Sequence, residues 1–278
     1  MRIAEGTLTG VGGLELYHRR WLRDDGEPRA RVVITHGAGE HLARYEHVAE
    51  RLAGAGYEVH AHDHRGHGRS EGRRADLGSM DAVVTDLRSV IALARAERPE
   101  REVYLLAHSM GGCIGLEYAL RHQEEIDGLI LSSPIASLNA ASPLQRSLSK
   151  IVASVLPRLG VYAVDTGAVS RDPEVVRAYE QDPLVHHGKL PARTVAELTR
   201  AVESFPDRLP SLTVALLVFH GRADRITEPA GSELVHARAG SADKEIVLFD
   251  GLYHETMNEP ERNEVLDRVV AWLDARAA

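Results

Sequence analysis

The chain has 278 residues, enough for one large core that carries an insertion. A formal charge of −8, with no basic run to offset it, excludes nucleic acid as a partner. The single cysteine, Cys113, excludes an internal disulfide framework and fits a reducing compartment. The segment Met1 to Gly6 lacks the apolar core of a signal peptide, and no stretch reaches the eighteen or so uninterrupted apolar residues of a membrane span. A cytoplasmic location is therefore expected.

In chain order, Gly6 to Thr9 and Leu14 to Trp21 read as an opening hairpin that turns at Gly10 to Gly13. Strands then alternate with helices, the pattern of a parallel sheet covered on both faces. Val32 to Thr35 is a short buried strand, and a strand over 57–62 leads to Asp63. A helix over 80–97 follows, with Ser79 as N-cap and Val83, Leu87, Val90 and Ile91 on one face. An apolar strand from Val103 runs into Ser109, and another covers 128–132.

There the alternation breaks. From Ser133 to about Pro210 the chain reads as helix and loop, rich in proline and without a buried strand. This predicts a core over 1–133 and 211–278, with a helical cap over 134–210 inserted after the sixth strand. In the cap, Leu144, Leu148, Ile151, Val152, Val155, Leu156 and Leu159 form a broad apolar face, with Arg146, Lys150 and Arg158 elsewhere. That face either packs on the main domain or forms a lip through which an amphiphile enters from a membrane or micelle. Strands over 213–221 and 245–250 resume the sheet. A closing helix is predicted with Asn258 as cap, Pro260 and Glu261 in its first turn, and Leu266, Val269, Val270 and Leu273 buried.

The chemistry centres on Ala107-His108-Ser109-Met110-Gly111. A strand entering a serine between small residues, with a helix beyond, is the nucleophile elbow of an α/β-hydrolase. Ala stands where that pattern has its first Gly, and it still fits sterically. A serine hydroxyl is a weak nucleophile that needs a base, and the base needs an orienting carboxylate. Asp224, leaving the strand over 213–221, and His254, leaving the strand over 245–250, follow Ser109 in the required order.

The other histidines compete for the role of base. His220 precedes Asp224 and is expected to pack or hydrogen-bond beneath the site, whereas His122, His186, His187 and His236 lie in polar contexts. Asp250 rivals Asp224, but it lies only four residues before His254 on the same connection. The small residues of His36-Gly37-Ala38-Gly39 let backbone approach a developing oxyanion, which assigns the oxyanion-hole amides to Ala38 and Met110. No cofactor or metal is expected. The dinucleotide pattern is absent, and His60, His62 and His64, although they would share one strand face, have no accompanying cysteine.

Four motifs carry a specific resemblance: His36-Gly37-Ala38-Gly39-Glu40-His41, Asp63-His64-Arg65-Gly66-His67-Gly68-Arg69-Ser70, His108-Ser109-Met110-Gly111-Gly112 and Asp182-Pro183-Leu184-Val185. Together they resemble the monoacylglycerol lipase family, lysophospholipase-like serine hydrolases with a mobile cap, from about residue 10 to the C-terminus. Ser170 to Val176 and Gly251 to Glu255 are most similar to its bacterial members. The resemblance implies an eight-stranded, mostly parallel sheet. It also implies that Asp63 to Ser70 is a structural turn beside the oxyanion loop, and that Glu40, Arg44, His108 and Tyr179 bind the glycerol moiety. Glu40 and Arg44 also read as a structural ion pair beneath that loop.

The expected activity is hydrolysis of a monoacylglycerol, a small lipid substrate, through an acyl-enzyme, with transient membrane or micelle contact through the cap. A lysophospholipase, or a broad esterase or thioesterase, would use the same triad on another substrate. A non-catalytic scaffold binding an apolar ligand is the alternative of another class.

Overall fold

A computed structural model of the chain describes residues 1–22, 26–96, 99–137 and 151–277. Eight strands form one sheet: β1 (Arg2–Thr9), β2 (Glu15–Leu22), β3 (Arg31–Thr35), β4 (Glu58–His62), β5 (Val103–His108), β6 (Gly128–Ser132), and then β9 (Ala215–Gly221) and β10 (Lys244–Phe249). Their spatial order is β1-β2-β4-β3-β5-β6-β9-β10. Every pairing is parallel except those β2 makes with β1 and β4. The opening hairpin is longer than expected, since β1 starts at Arg2, and its connection is a 3-10 turn over Val11–Gly13.

Helices α1 (Glu46–Gly54), α2 (Met80–Ala96), α3 (Met110–His122), α4 (Pro173–Gln181), α5 (Ala192–Arg208), α6 (Pro229–Arg238) and α7 (Arg262–Asp274) accompany the sheet. The central strands explain why the sequence reads as unbroken apolar runs. On β5, Leu105 and Ala107 enter the core beneath α2 and α3, while Tyr104 and Leu106 enter the core beneath α1 and α7. Strand β9 divides in the same way, Leu216 and Val218 against Leu217 and Phe219. A strand buried on both faces has no polar face to alternate with, and each fully buried Leu or Val contributes about 1.5–3 kcal/mol.

The predicted faces of the two longest-range helical stripes are buried: Val83, Leu87, Val90 and Ile91 on α2, and Leu266, Val269, Val270 and Leu273 on α7. Ser79 Oγ accepts the amide of Ala82 at 3.2 Å, as an N-cap does. Asn258 does not cap the last helix. It ends a 3-10 turn over Thr256–Asn258, its amide donates to Glu255, and α7 begins only at Arg262. Pro260 and Glu261 therefore precede that helix instead of lying in its first turn.

The region after β6 also departs from expectation, because it does contain strand. Residues Gly160–Tyr162 (β7) pair antiparallel with the buried Leu190–Pro191 (β8). A two-residue strand carries too little periodicity to be seen in sequence. Helix α5 sends Leu198, Ala201, Val202 and Phe205 into the core shared with α2 and α3. Of the predicted apolar face, Val152 packs partly against Ala153, Ala192 and Ala196, whereas Ile151, Val155, Leu156 and Leu159 are exposed. Leu144, Arg146, Leu148 and Lys150 lie outside the described residues. No helix among the described residues is long and apolar enough to cross a membrane.

The elbow depends on close approach of backbones. A Cβ at Gly111 would lie 2.4 Å from the carbonyl oxygen of Thr35 and 2.5 Å from that of His36, both at the end of β3. Backbone cannot move aside as a side chain can. Gly111→Ala is therefore expected to destabilise the fold by about 3 kcal/mol or more, the upper range of overpacking costs. A denaturant midpoint that matches the parent would refute this.

Candidate active site

Ser109 sits between β5 and α3 at φ 54°, ψ −116°, a conformation that side-chain-bearing residues rarely adopt. The strained turn lifts Oγ off the strand end. Its amide is held by the carbonyl of Ser132 at 3.0 Å. His254 Nε2 lies 2.9 Å from Ser109 Oγ, and its Nδ1 lies 2.7 Å from Asp224 Oδ2. All three predicted side chains thus form one hydrogen-bonded line across 145 residues of sequence.

The local chain explains how the partners meet. A Cβ on Gly221, the last residue of β9, would fall 2.3 Å from the carbonyl oxygens of Leu252 and Tyr253. Glycine there lets the His254 loop cross the strand end, and Ala223 N bonds to Leu252 O at 3.0 Å. Asp250 points away: it pairs with Arg222 at 2.8 Å and is almost fully exposed.

Asp224 accepts more hydrogen bonds than the sequence indicated. Its Oδ1 takes the amides of Ile226 (2.7 Å) and Thr227 (3.1 Å), and its Oδ2 takes the Thr227 hydroxyl (2.8 Å) and His220 Nε2 (2.9 Å) besides His254. Burial works against the charge, yet His254 and His220 hold the carboxyl well below the ordinary carboxylate range. His220 thus lies beneath the site as expected. Thr227 was not anticipated; an Asp followed by a hydroxyl residue at +3 is the available signal.

Beside the serine, Glu40 Oε1 accepts the Gly37 amide at 2.6 Å and the Tyr45 hydroxyl at 2.7 Å. The amides of Ala38 and Met110 donate to no acceptor among the described residues. Glu40 Oε2 receives Arg44 at 2.6 Å, and Arg44 also forks onto Glu255 at 2.6 and 2.7 Å. Arg44 stacks over the Tyr179 ring, 4.6 Å from its centre. Burial opposes the charge on Glu255, but Arg44 outweighs it and brings that carboxyl down to about 2.

A cavity of about 740 Å³ opens above Ser109 and His254. Its apolar lining includes Ile135, Val161, Val164, Leu190, Val195 and Leu198. Its polar lining includes Glu40, His108, Tyr179 and Glu255, while Arg44 lies behind Glu40 and Glu255. Glu255 is a further residue that sequence reading missed, though it directly follows His254.

The motifs outside the triad brace this cavity. His41 Nε2 bonds Asp182 Oδ2 at 2.8 Å, and Gly39 O accepts the His186 amide at 2.7 Å, which fastens the Asp182 segment to the oxyanion loop. Asp63 accepts the amides of Leu42 (2.7 Å) and Arg69 (2.8 Å). Arg171 Nε bonds Glu259 at 2.7 Å, and Val169 O accepts the Glu255 amide, joining the Ser170 segment to the His254 loop. His64 lies past the end of β4, bonded to Thr35 Oγ1 at 2.9 Å, so it does not share a strand face with His60 and His62.

Residues 26–261 match the model of the family described as serine aminopeptidase, S33. The chain belongs to that family. Its similarity to the monoacylglycerol lipase of Mycolicibacterium smegmatis is 42% identity over 97% of this chain and 96% of that protein. To the human monoglyceride lipase it is 34%, over 98% of this chain and 90% of the other. The crystal structure of the Paleococcus ferrophilus monoacylglycerol lipase superposes with a TM-score of 0.84 at 32% identity, covering 94% of this chain and 99% of that one. This S33-family chain is a serine hydrolase of the α/β-hydrolase fold.

Buried imidazoles underlie the oxyanion loop of this hydrolase and give it an acid sensitivity. Burial pushes His62 and His67 down to about 4, and burial together with His254 brings His108 to about 3. An unfolded chain protonates histidine near 6.5. As pH falls from about 6.5 toward 4, the unfolded state takes up protons that the folded state refuses, so stability present above that window is lost within it. Each such histidine removes up to about 1.4 kcal/mol per pH unit there. The melting temperature is expected to fall steeply between pH 6.5 and 5, and calorimetry showing a flat profile over that range would contradict this.

Proposed function

We propose that this chain hydrolyses monoacylglycerols to fatty acid and glycerol through an acyl-enzyme on Ser109. The observation that carries the reading is the Ser109–His254–Asp224 line opening into a cavity lined by both apolar and polar side chains. Ser109 Oγ attacks the ester carbonyl while His254 Nε2 takes its proton. The Ala38 and Met110 amides stabilise the tetrahedral oxyanion, a role supported by their lack of an acceptor among the described residues. Collapse releases glycerol, protonated by His254, and leaves the acyl group on Ser109. Water activated by the same imidazole then releases the fatty acid. Asp224 fixes the imidazole with Nδ1 protonated throughout.

Glu40, His108 and Tyr179 line the cavity and suit a small polyol, whereas Arg44 holds Glu40 and Glu255 in place from behind. The apolar wall takes the acyl chain, at about 0.8 kcal/mol per buried methylene. Chain length then tunes affinity gradually, while head-group recognition through buried polar groups discriminates sharply. Residues 134–210 act as the cap over this cavity. The exposed Ile151, Val155, Leu156 and Leu159 meet a membrane or micelle transiently, because a charge of −8 gives no attraction to anionic lipid.

Turnover of monoacyl-, diacyl- and triacylglycerol by the parent and by Ser109→Ala tests the assignment. Monoacylglycerol is expected to be fastest, with Ser109→Ala losing at least about a thousandfold in kcat and all labelling by a fluorophosphonate. Faster triacylglycerol hydrolysis would reject the substrate. Unlabelled, folded parent protein would reject the chemistry in favour of a ligand-binding scaffold.

A further inference from the structure

A second imidazole shares the carboxylate of the charge-relay line. His220, wholly buried at the end of β9, places Nε2 2.9 Å from Asp224 Oδ2, the same oxygen that meets His254 Nδ1 at 2.7 Å. On its other side, Nδ1 lies 2.7 Å from Ser232 Oγ on α6. Asp224 is held ionised and can only accept, so in neutral His220 the proton resides on Nε2 and donates to Oδ2. Nδ1 then accepts the Ser232 hydroxyl, which locks that tautomer. Among the described residues Ser232 Oγ has no other partner.

We propose that His220, locked by Ser232, is a positioning residue that tunes the basicity of His254 by drawing charge from the shared oxygen of Asp224. This rests on the triad reading above. A hydrogen bond donated to Oδ2 reduces the charge that Asp224 presents to an imidazolium at residue 254. The base therefore stays unprotonated, and able to accept the Ser109 proton, to lower pH than it would beside a carboxylate bonded to His254 alone. The other groups around His254 are Ser109 Oγ, the Thr227 hydroxyl, 3.2 Å from Nδ1, the His108 ring, 4.8 Å away between centres, and the Glu255–Arg44–Glu40 network; of these only Thr227 also bonds to Asp224. Thr227 donates to Oδ2 as well, but its amide and hydroxyl belong to the turn that carries Asp224 itself.

The test is the pH dependence of kcat/KM on p-nitrophenyl butyrate for the parent, His220→Leu, His220→Asn and His220→Gln, each checked for its melting temperature. Leu removes the donor, Asn offers an amide only at the Nδ1 position, and Gln reaches the Nε2 position. The acid limb is expected to move up by about one pH unit in the Leu and Asn variants. Well below both limbs those variants are then about tenfold slower, and the loss disappears on the alkaline side. Gln should restore the parent limb. An unmoved acid limb in a folded Leu or Asn variant overturns the proposal, as does a loss of equal size at every pH, which a purely structural role would give.

Should neither variant fold, nitrogen-15 NMR of the histidine-labelled parent decides. A His220 proton fixed on Nε2 supports the proposal, and one on Nδ1 overturns it. Ser109→Ala is assayed alongside: if it retains activity, the triad reading fails by itself, whatever the His220 profiles show.

Discussion

The structure depends on one contact between backbones, where α3 crosses the end of β3 at Gly111 with no room for a side chain. That crossing forces Ser109 into its positive-φ turn, and the turn alone puts a hydroxyl above the sheet instead of in it. The strain is held by the surroundings: the Ser109 amide is tied to β6, and its carbonyl receives the amides of Cys113 and Ile135. The small residues nearby have the same origin. A Cβ at Gly115 would meet the Ala107 methyl at 2.8 Å, and one at Gly112 would meet Pro134 at 2.7 Å. Alanine at position 107 is tolerated because its methyl fits the space that Gly115 leaves open.

Around that elbow the site is built from buried charges that satisfy one another. Arg44 between Glu40 and Glu255 brings together the oxyanion loop and the residue after the base. A buried guanidinium serving two carboxylates contributes little net stability, since desolvation offsets most of the attraction, but removing any member would strand a charge. What the network does provide is geometry. Glu40 takes the Gly37 amide and so fixes the turn that presents the Ala38 amide. Asp224 follows the same logic on the opposite side, with five donors converging on one carboxylate.

The segment after β6 divides into parts with different physical roles. Helix α5 is welded to the main core through Phe205 and its neighbours, and Arg171 and Asp182 clamp the segment to the His254 and oxyanion loops. By contrast, Val155 and Leu156 project apolar surface into solvent near a cavity whose wall includes Val161 and Leu190. The polar lining is thus tied to the core, and among the described residues after β6 the large exposed apolar side chains are Ile151, Val155, Leu156, Leu159, Val161 and Tyr162.

The sequence by itself determined the sheet, the two buried helical stripes and the meeting of Ser109, Asp224 and His254. Each of those rests on local pattern: apolar runs, a period of 3.6 residues, and a serine, an aspartate and a histidine each just past the end of a strand. It misplaced the start of the last helix, because Asn258 followed by Pro260 looks like a cap when only neighbours are considered. It also passed over β7 and β8, whose pairing joins residues about thirty apart. Only the tertiary structure decided that Arg44 stands behind the cavity instead of in it, that Thr227 and His220 share Asp224, and that Asp250 turns to solvent. Those outcomes depend on which side chains from distant segments reach the same buried oxygen, and local periodicity carries no record of that.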